Sequence, residues 1–267
     1  MKGEKVLKSM YEALIDGIPD DAPLDEVIST HYGAIAFSNG NIGLSEFRDE
    51  FDTRPMMNSS YKPDMTLKEL AKGIMSWNFT EAAMGVAALN AYYNSPAMAE
   101  KNGLHLSRSL YAEDRNADPF ITYQNEAKGK KVVILGHFPY IEQLLKPICN
   151  LYIIDRFPWK GDYPETAIEY IVPDSDYVFI GVLYFLEKSL PHIIDLAGDA
   201  FVGLVGPATV MSPIFFDYGV DELDGFIPKD SNLAARIFKE QENGKIYSAG
   251  EKVSLRKKDY EKFISGK

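Results

Sequence analysis

His137 is the side chain best placed for acid–base chemistry. It follows the apolar run KKVVILG (130–136), in the order Gly136-His137-Phe138-Pro139-Tyr140. Imidazole titrates near neutrality, so it can give or take a proton at cellular pH. A second apolar run, LYIID (151–155), ends in Asp155 and is followed by Arg156. Asp155 stands 19 residues after Gly136, where an acid commonly accepts hydrogen bonds from a ribose. A strand-end Asp also caps backbone, and both uses stay open. Arg156, and Arg54 within DTRP, carry the planar guanidinium that clamps carboxylates and phosphates. For Arg54 a loop salt bridge is the plainer use. Asn39, in the turn SNGN, and Gly206-Pro207, ahead of Ala208-Thr209, are further candidates to meet a ligand.

Several chemistries find little support in the sequence. GHFPY keeps only the first glycine of a GxGxxG fingerprint, so its backbone cannot cradle a pyrophosphate in the usual way. There is no HExxH or HxxxH pair, no GxSxG, and no Walker A or kinase signature. Cys149 is the one cysteine, so no Cys-rich zinc or iron–sulfur site can form within a chain. A metal would need ligands converging from distant segments. Met56-Met57 is a soft pair, but adjacent Met residues usually serve packing.

The chain has 267 residues and a formal net charge of -11, from 28 Lys+Arg against 39 Asp+Glu. That excess argues against nucleic-acid and anionic-membrane partners. A lone thiol suits a reducing compartment. The first residues lack the apolar core of a signal peptide, and no apolar run reaches the ~20 residues that span a bilayer. The expectation is a cytoplasmic protein. Its 16 Tyr and 15 Phe are compatible with a homo-oligomer.

These residues need elements to hold them. Val6, Leu7, Met10, Leu14 and Ile15 have the spacing of an amphipathic helix. A hairpin-like stretch covers Val27 to Leu44, turning at Asn39-Gly40. Thr66 and Glu69 form a capping box ahead of a helix. The next helix, about Thr80 to Tyr93, is rich in Ala and Gly and suits close packing. Its Glu81 suits the macrodipole, and Asn90 needs a hydrogen-bond partner if buried. NSPAMAEKNG and EDRNADPF look like linkers.

Beyond them the pattern changes. KKVVILG, LYIID, DYVFIGV (176–182) and FVGLVG (201–206), with a weaker GFIP (225–228), alternate with helical candidates at 140–146, 163–171, 185–196 and 215–220. Continuous apolar strands between helices predict a parallel sheet in a Rossmann-like domain. Glu165 then opens a helix. A final helix over about 232–242 precedes a charged tail. Ligands of such sheets bind beyond the carboxyl ends of the strands, which places His137, Asp155 and Gly206 at the mouth of a site.

GHFP, DRFP and GLVGPATVMSPIFFDYGVDELDGF, preceded by SNGNIGLS, DTRP and EAAMGVAALNA, resemble the putative heavy-metal chelation domain family. The resemblance covers most of the chain. It implies an α/β protein in which an enolase N-terminal-like α+β domain (1–116) precedes the Rossmann-like domain (117–267). It also implies a site in the cleft between them. Carried over by position, the family's Gly-x-Phe-Pro falls on Gly136, Phe138 and Pro139. Its strand-end acid and Arg fall on Asp155 and Arg156, and its Gly-Pro segment on Gly206, Pro207 and Pro213. One segment departs: GVLYFLEKS, with apolar Val182, Leu183 and Leu186, replaces a Thr-rich stretch.

Three functions follow as expectations. The first is a protein that binds a small ligand in the interdomain cleft, with a heavy metal or metal–chelate complex as the ligand and a metal ion as the cofactor the family label implies. The second is an enzyme on a small anionic or nucleotide-like substrate, with His137 as general acid/base and an Arg as anion clamp. The third is an inert assembly protein. Fold alone does not choose among them.

Overall fold

The computed structural model describes residues 10–47, 54–57, 62, 64–107, 118–138 and 140–266. The amino-terminal part opens on helix α1 (10–16), which buries Met10, Tyr11, Leu14 and Ile15. Val6 and Leu7 lie outside the described residues. Three antiparallel strands follow: β1 (Glu26–Thr30), β2 (Gly33–Ser38) and β3 (Asn41–Glu46). The sequence suggested one hairpin. The chain instead reverses twice, first at His31-Tyr32 and then at Asn39-Gly40. Asn39 (φ 50°) and Gly40 (φ 74°) both have positive φ, the tight turn whose twist matches the strands.

Helix α2 (Leu67–Ala71) starts on the expected Thr66–Glu69 capping box. Helix α3 (Phe79–Tyr93) is capped by Asn78, whose side chain accepts the Glu81 N–H at 2.8 Å. Its small residues admit neighbouring backbone at close range. A Cβ on Gly85 would lie 2.2 Å from the Ile74 nitrogen, and one on Gly43 of β3 would lie 2.0 Å from the Ala87 oxygen. Where a linker was expected, Ser95 caps a short helix, α4 (Pro96–Lys101).

After α5 (Pro119–Thr122) comes a seven-stranded sheet. Its strands are β4 (Lys131–Leu135), β5 (Asn150–Asp155), β6 (Tyr163–Pro164), β7 (Tyr177–Gly181), β8 (Phe201–Val205), β9 (Glu222–Pro228) and β10 (Gly250–Arg256), in the spatial order β10-β9-β8-β7-β4-β5-β6. β4 to β9 are parallel and β10 is antiparallel. The order reverses between β4 and β7, the switch point of a doubly wound Rossmann-like sheet. One face buries Val132, Ile134, Phe179 and Val205 against Phe120 of α5 and Ile141 of α6 (Ile141–Leu145). The other buries Val133, Leu135, Ile180 and Leu204 against α7 (Ile168–Ile171), α8 (Val182–Leu186) and α9 (Leu190–Ala197), in one cluster with α1 and α3.

Two expectations need correction. The helix read over 185–196 is two helices, because Lys188 adopts φ 68° between α8 and α9. The charged tail is structured: after α10 (Ser231–Lys239) the chain forms β10 and α11 (Lys257–Ser265). β10 alternates buried Val253 and Leu255 with half-buried Lys252, Ser254 and Arg256. Charges on an edge strand discourage edge-to-edge pairing, and here they hid the strand's period. Among the described residues no helix is long and apolar enough to cross a membrane.

Candidate functional site

Glycines follow two of the parallel strands, β4 at the switch point and β8 beyond β7. Gly136 ends β4 at φ 112° and Gly206 ends β8 at φ 124°. No atom lies within 4 Å of a Cβ built on Gly206, and only a Phe138 ring carbon, at 3.5 Å, lies near one on Gly136. Both leave room for a ligand to approach backbone. Phe138 packs on Phe120 with 5.5 Å between ring centroids. Pro139 lies outside the described residues, and Pro207 is half-buried.

Asp155 acts as a backbone clasp. Its Oδ2 accepts the His137 N–H at 2.8 Å and its Oδ1 accepts the Phe157 N–H at 2.7 Å. The His137 ring points to the β5–β6 loop, where Nδ1 lies 2.8 Å from Asp162 Oδ2. Asp162 also accepts the Trp159 N–H at 2.9 Å, and its side chain is 2% exposed. The imidazole stacks on Trp159 at 4.3 Å, with 18° between the planes. A carboxylate on one ring nitrogen orients the other for proton transfer.

Arg156 is engaged within its own half. It bonds Glu165 at 3.3 Å and pairs closely with Glu187. Burial pushes the Glu187 carboxyl up to about 7, against the opposing pull of Arg156. The next residue, Lys188, donates to the Ser76 carbonyl across the junction between the two parts. So the segment expected to be apolar delivers two charged groups to the junction. The Arg54 carbonyl accepts from Asn78 Nδ2 at 2.7 Å, while the Arg54 side chain is exposed. Asn39 is exposed at the hairpin tip, and Ser231 of α10 donates to the adjacent Gly40 carbonyl at 2.7 Å. The structure therefore gathers Gly136, His137, Phe138, Asp155 and Arg156 around the ends of β4 and β5. Gly206 and Pro207 lie beyond β8, and Asn39 and Arg54 lie on separate loops of the amino-terminal part.

A second polar group joins the halves on the other side of the switch point. Asn90 Nδ2 donates to the Leu44 and Ala208 carbonyls at 2.6 and 2.8 Å. Asn94 Nδ2 donates to the Thr209 carbonyl at 2.8 Å, and its Oδ1 accepts the Met211 N–H at 2.9 Å. The Gly206 N–H donates to the Asp224 carbonyl at 3.1 Å. Among the described residues, five buried side-chain atoms have no partner: Ser45 Oγ, Asn90 Oδ1, Thr209 Oγ1 and both carboxyl oxygens of Asp224. Burial, reinforced by the neighbouring Glu222, raises the Asp224 pKa well above the ordinary range. The Ser254 hydroxyl, opposite Asp224 on β10, donates to Glu222 and opposes part of the rise at Asp224. Tyr140, whose hydroxyl donates to Asp118 at 2.9 Å, also feels the Asp224 charge.

Asp162, Trp159, Glu187, Lys188 and Asp224 were not singled out from the sequence. Only Asp224 left a signal there, as an acid inside the otherwise apolar run LDGFIP.

The carboxy-terminal part, residues 118–257, matches the DUF364 family, described as "putative heavy-metal chelation". Residues 11–93 match the DUF4213 family, which has the same description. The chain belongs to the putative heavy-metal chelation family. A solved DUF364-family protein of unknown function from Desulfitobacterium hafniense is 41% identical, with a TM-score of 0.84 over 94% of this chain and 98% of that one. A second DUF364-family protein of unknown function, from Pyrococcus horikoshii, shares 20% identity, with a TM-score of 0.77 over 94% of this chain and 99% of that one. The second likeness concerns the fold alone. No curated protein matches the chain.

The family description can be tested against the donors present. Heavy-metal ions favour thiolates. Cys149 is half-buried, its thiol donates to the Leu145 carbonyl at 3.2 Å, and burial pushes its pKa up to about 11. Among the described residues no three His, Cys, Asp or Glu side chains converge as a metal-binding group. The described donor set does not fit direct ligation of a bare heavy-metal ion.

Proposed function

We propose that this member of the putative heavy-metal chelation family holds a small polar ligand at the junction between its two parts, 1–116 and 117–267. The observation that supports this is that Ser45, Asn90, Thr209 and Asp224 each keep a buried side-chain atom without a partner among the described residues, while Asn90 itself bridges the Leu44 and Ala208 carbonyls across the junction. Buried polar groups are nearly always bonded, and leaving one unbonded costs ~1–3 kcal/mol. A ligand with complementary donors and acceptors relieves that cost. A metal, on this reading, arrives as a preformed chelate whose organic part the protein recognises, because the described protein donors are not those of a metal cage. The cytoplasm is the compartment that suits the lone thiol.

The experiment is paired mass spectrometry and elemental analysis of the natively purified full chain and its Asp224→Asn variant. The reading expects a stoichiometric organic compound on the wild type, reduced on the variant, with any metal present in proportion to it. A metal bound without an organic partner contradicts it. So does an equal load on both proteins.

The His137–Asp162 contact favours a second reading, in which His137 acts as general acid/base on a small anionic or nucleotide-like substrate at the ends of β4 and β5. His137→Gln should then slow conversion of that substrate by about 100-fold or more. Equal rates reject this reading.

A further inference from the structure

A groove of about 510 Å³ lies where the end of α3, α4, the turn Pro213–Tyr218 and α11 meet. None of Ser45, Asn90, Thr209 and Asp224 lines it, so it is a space apart from the ligand read at those atoms. Its walls are largely aromatic. Tyr92 stands edge-on to Tyr93 with 5.0 Å between ring centroids, and Phe216 lies 5.8 Å from Tyr260. Tyr93 and Phe216 are buried, while Tyr92 and Tyr260 are half-buried and keep ring surface for a ligand. Close packing fixes the α11 wall: a Cβ on Gly103 would lie 2.8 Å from the Phe263 ring. Ligand sites combine apolar walls of this kind with a few placed polar groups.

One such group sits on the floor. The Tyr93 hydroxyl donates to the Leu14 carbonyl at 2.7 Å, and Ser212 Oγ accepts the Ile214 N–H at 3.4 Å. Asn102, 7% exposed, is served on one side only. Its Nδ2 donates to the Met211 carbonyl at 3.5 Å, and its Oδ1 accepts no hydrogen bond among the described residues. Unlike Asn90 Oδ1 it is not sealed in the core, so it opens on the groove that Asn102 lines. An amide carbonyl in that position calls for a donor.

The rim carries two cations, Lys101 and Lys257, and two anions, Asp217 and Glu261. Among the described residues no ion pair joins them. Lys257 and Glu261 have the i,i+4 spacing that allows one, yet Lys257 Nζ donates to the Phe216 carbonyl at 3.0 Å. These rim charges cancel. They disfavour a ligand of either net charge and suit one that carries both signs.

We propose that this groove binds a free aromatic α-amino acid whose ring carries an N–H or O–H. The ring packs among Tyr92, Phe216 and Tyr260. Its N–H or O–H donates to Asn102 Oδ1. The carboxylate meets the two lysines and the ammonium meets the two acids.

The test is isothermal titration calorimetry of the full chain with L-tryptophan as the probe. Binding should saturate at one molecule per chain. The isostere 3-benzothienyl-L-alanine has sulfur in place of the ring N–H and should bind about tenfold more weakly, because it leaves the Asn102 carbonyl unbonded. Tryptamine and indole-3-propionate each lack one of the two charges, and each should bind more weakly than L-tryptophan. Lys101→Gln changes an exposed side chain, so its fold is not in question, and it should weaken L-tryptophan about threefold. Tyr260→Ala removes one aromatic wall and should weaken it about tenfold. Absence of saturable binding at millimolar L-tryptophan overturns the proposal. Equal affinity for the benzothienyl isostere overturns it as well, as does equal affinity for either singly charged analogue. So does wild-type affinity in both variants, which would place the amino acid elsewhere on the chain.

Discussion

Asn90 Nδ2 donates to two carbonyls from different halves of the chain, Leu44 at 2.6 Å and Ala208 at 2.8 Å. One amide on α3 thereby joins the small antiparallel sheet to the loop after β8. Asn90→Leu leaves both buried carbonyls without this donor. At ~1–3 kcal/mol for each unbonded group, the loss of stability should be about 3 kcal/mol in urea unfolding. A loss below about 0.5 kcal/mol, the range of neutral surface changes, would show that the two bonds do not hold the junction.

Asp224 sets a pH dependence whose sign is fixed by burial. Its folded pKa is raised, so the folded chain keeps a proton that the unfolded chain releases near pH 4. Its contribution to stability is therefore most favourable below about pH 4 and declines as pH rises toward the folded pKa. Asp224→Asn removes the titration and keeps the shape of the neutral acid. The gap between variant and wild type should widen in the variant's favour by about 1.4 kcal/mol per pH unit across that window. Urea unfolding at pH 4, 5, 6 and 7 measures it, and a constant gap would mean that Asp224 titrates normally.

Arg156 and Glu187 make a second, partly opposed case. Burial holds Glu187 at about 7, while Arg156 pulls it down. Glu187 contributes most below its ordinary pKa and loses stability as pH rises through 7. Arg156→Leu should raise the folded pKa further and destabilise the chain at pH 8 by about 3 kcal/mol, the cost of an uncompensated buried charge. The loss should be smaller at pH 6, where Glu187 takes up its proton. Equal losses at both pH values would show that Glu187 is not the group responsible.

The family description gives a prediction about metal. With Cys149 pushed up to about 11 and no converging donor set among the described residues, the fold should not depend on a directly ligated ion. Dialysis against EDTA should leave Tm unchanged within about 1 °C, because removing a ligand lowers stability only where the folded state bound it. Cys149→Ser should leave cadmium uptake unchanged. A Tm drop of several degrees on dialysis would point to a directly bound metal.

Much of the carboxy-terminal half was legible because buried parallel strands leave continuous apolar runs, such as KKVVILG and DYVFIGV. The Thr66–Glu69 cap and the Asn39-Gly40 turn were legible for local reasons, since each uses residues within a few positions. β10 was not, because its charged alternation reads like a solvated tail. The break at Lys188 was missed because nothing in LEKSL announces a positive φ without glycine. Site residues fared unevenly. His137 and Asp155 follow from the strand-end rule. Asp162 is 25 positions from His137 and cannot be seen without the folded sheet; Asp224 shows in the sequence only as an acid within the apolar run LDGFIP, and its raised pKa derives from burial.

Helix α3 has one more consequence. Its alanines belong to a single apolar cluster that runs from Met10 through Val86 to Ile180 and Leu255. The two sheets are therefore not separately cored bodies joined by a strap. Pulling them apart would expose the part of this shared interior that α3 covers. Unfolding should be one cooperative event.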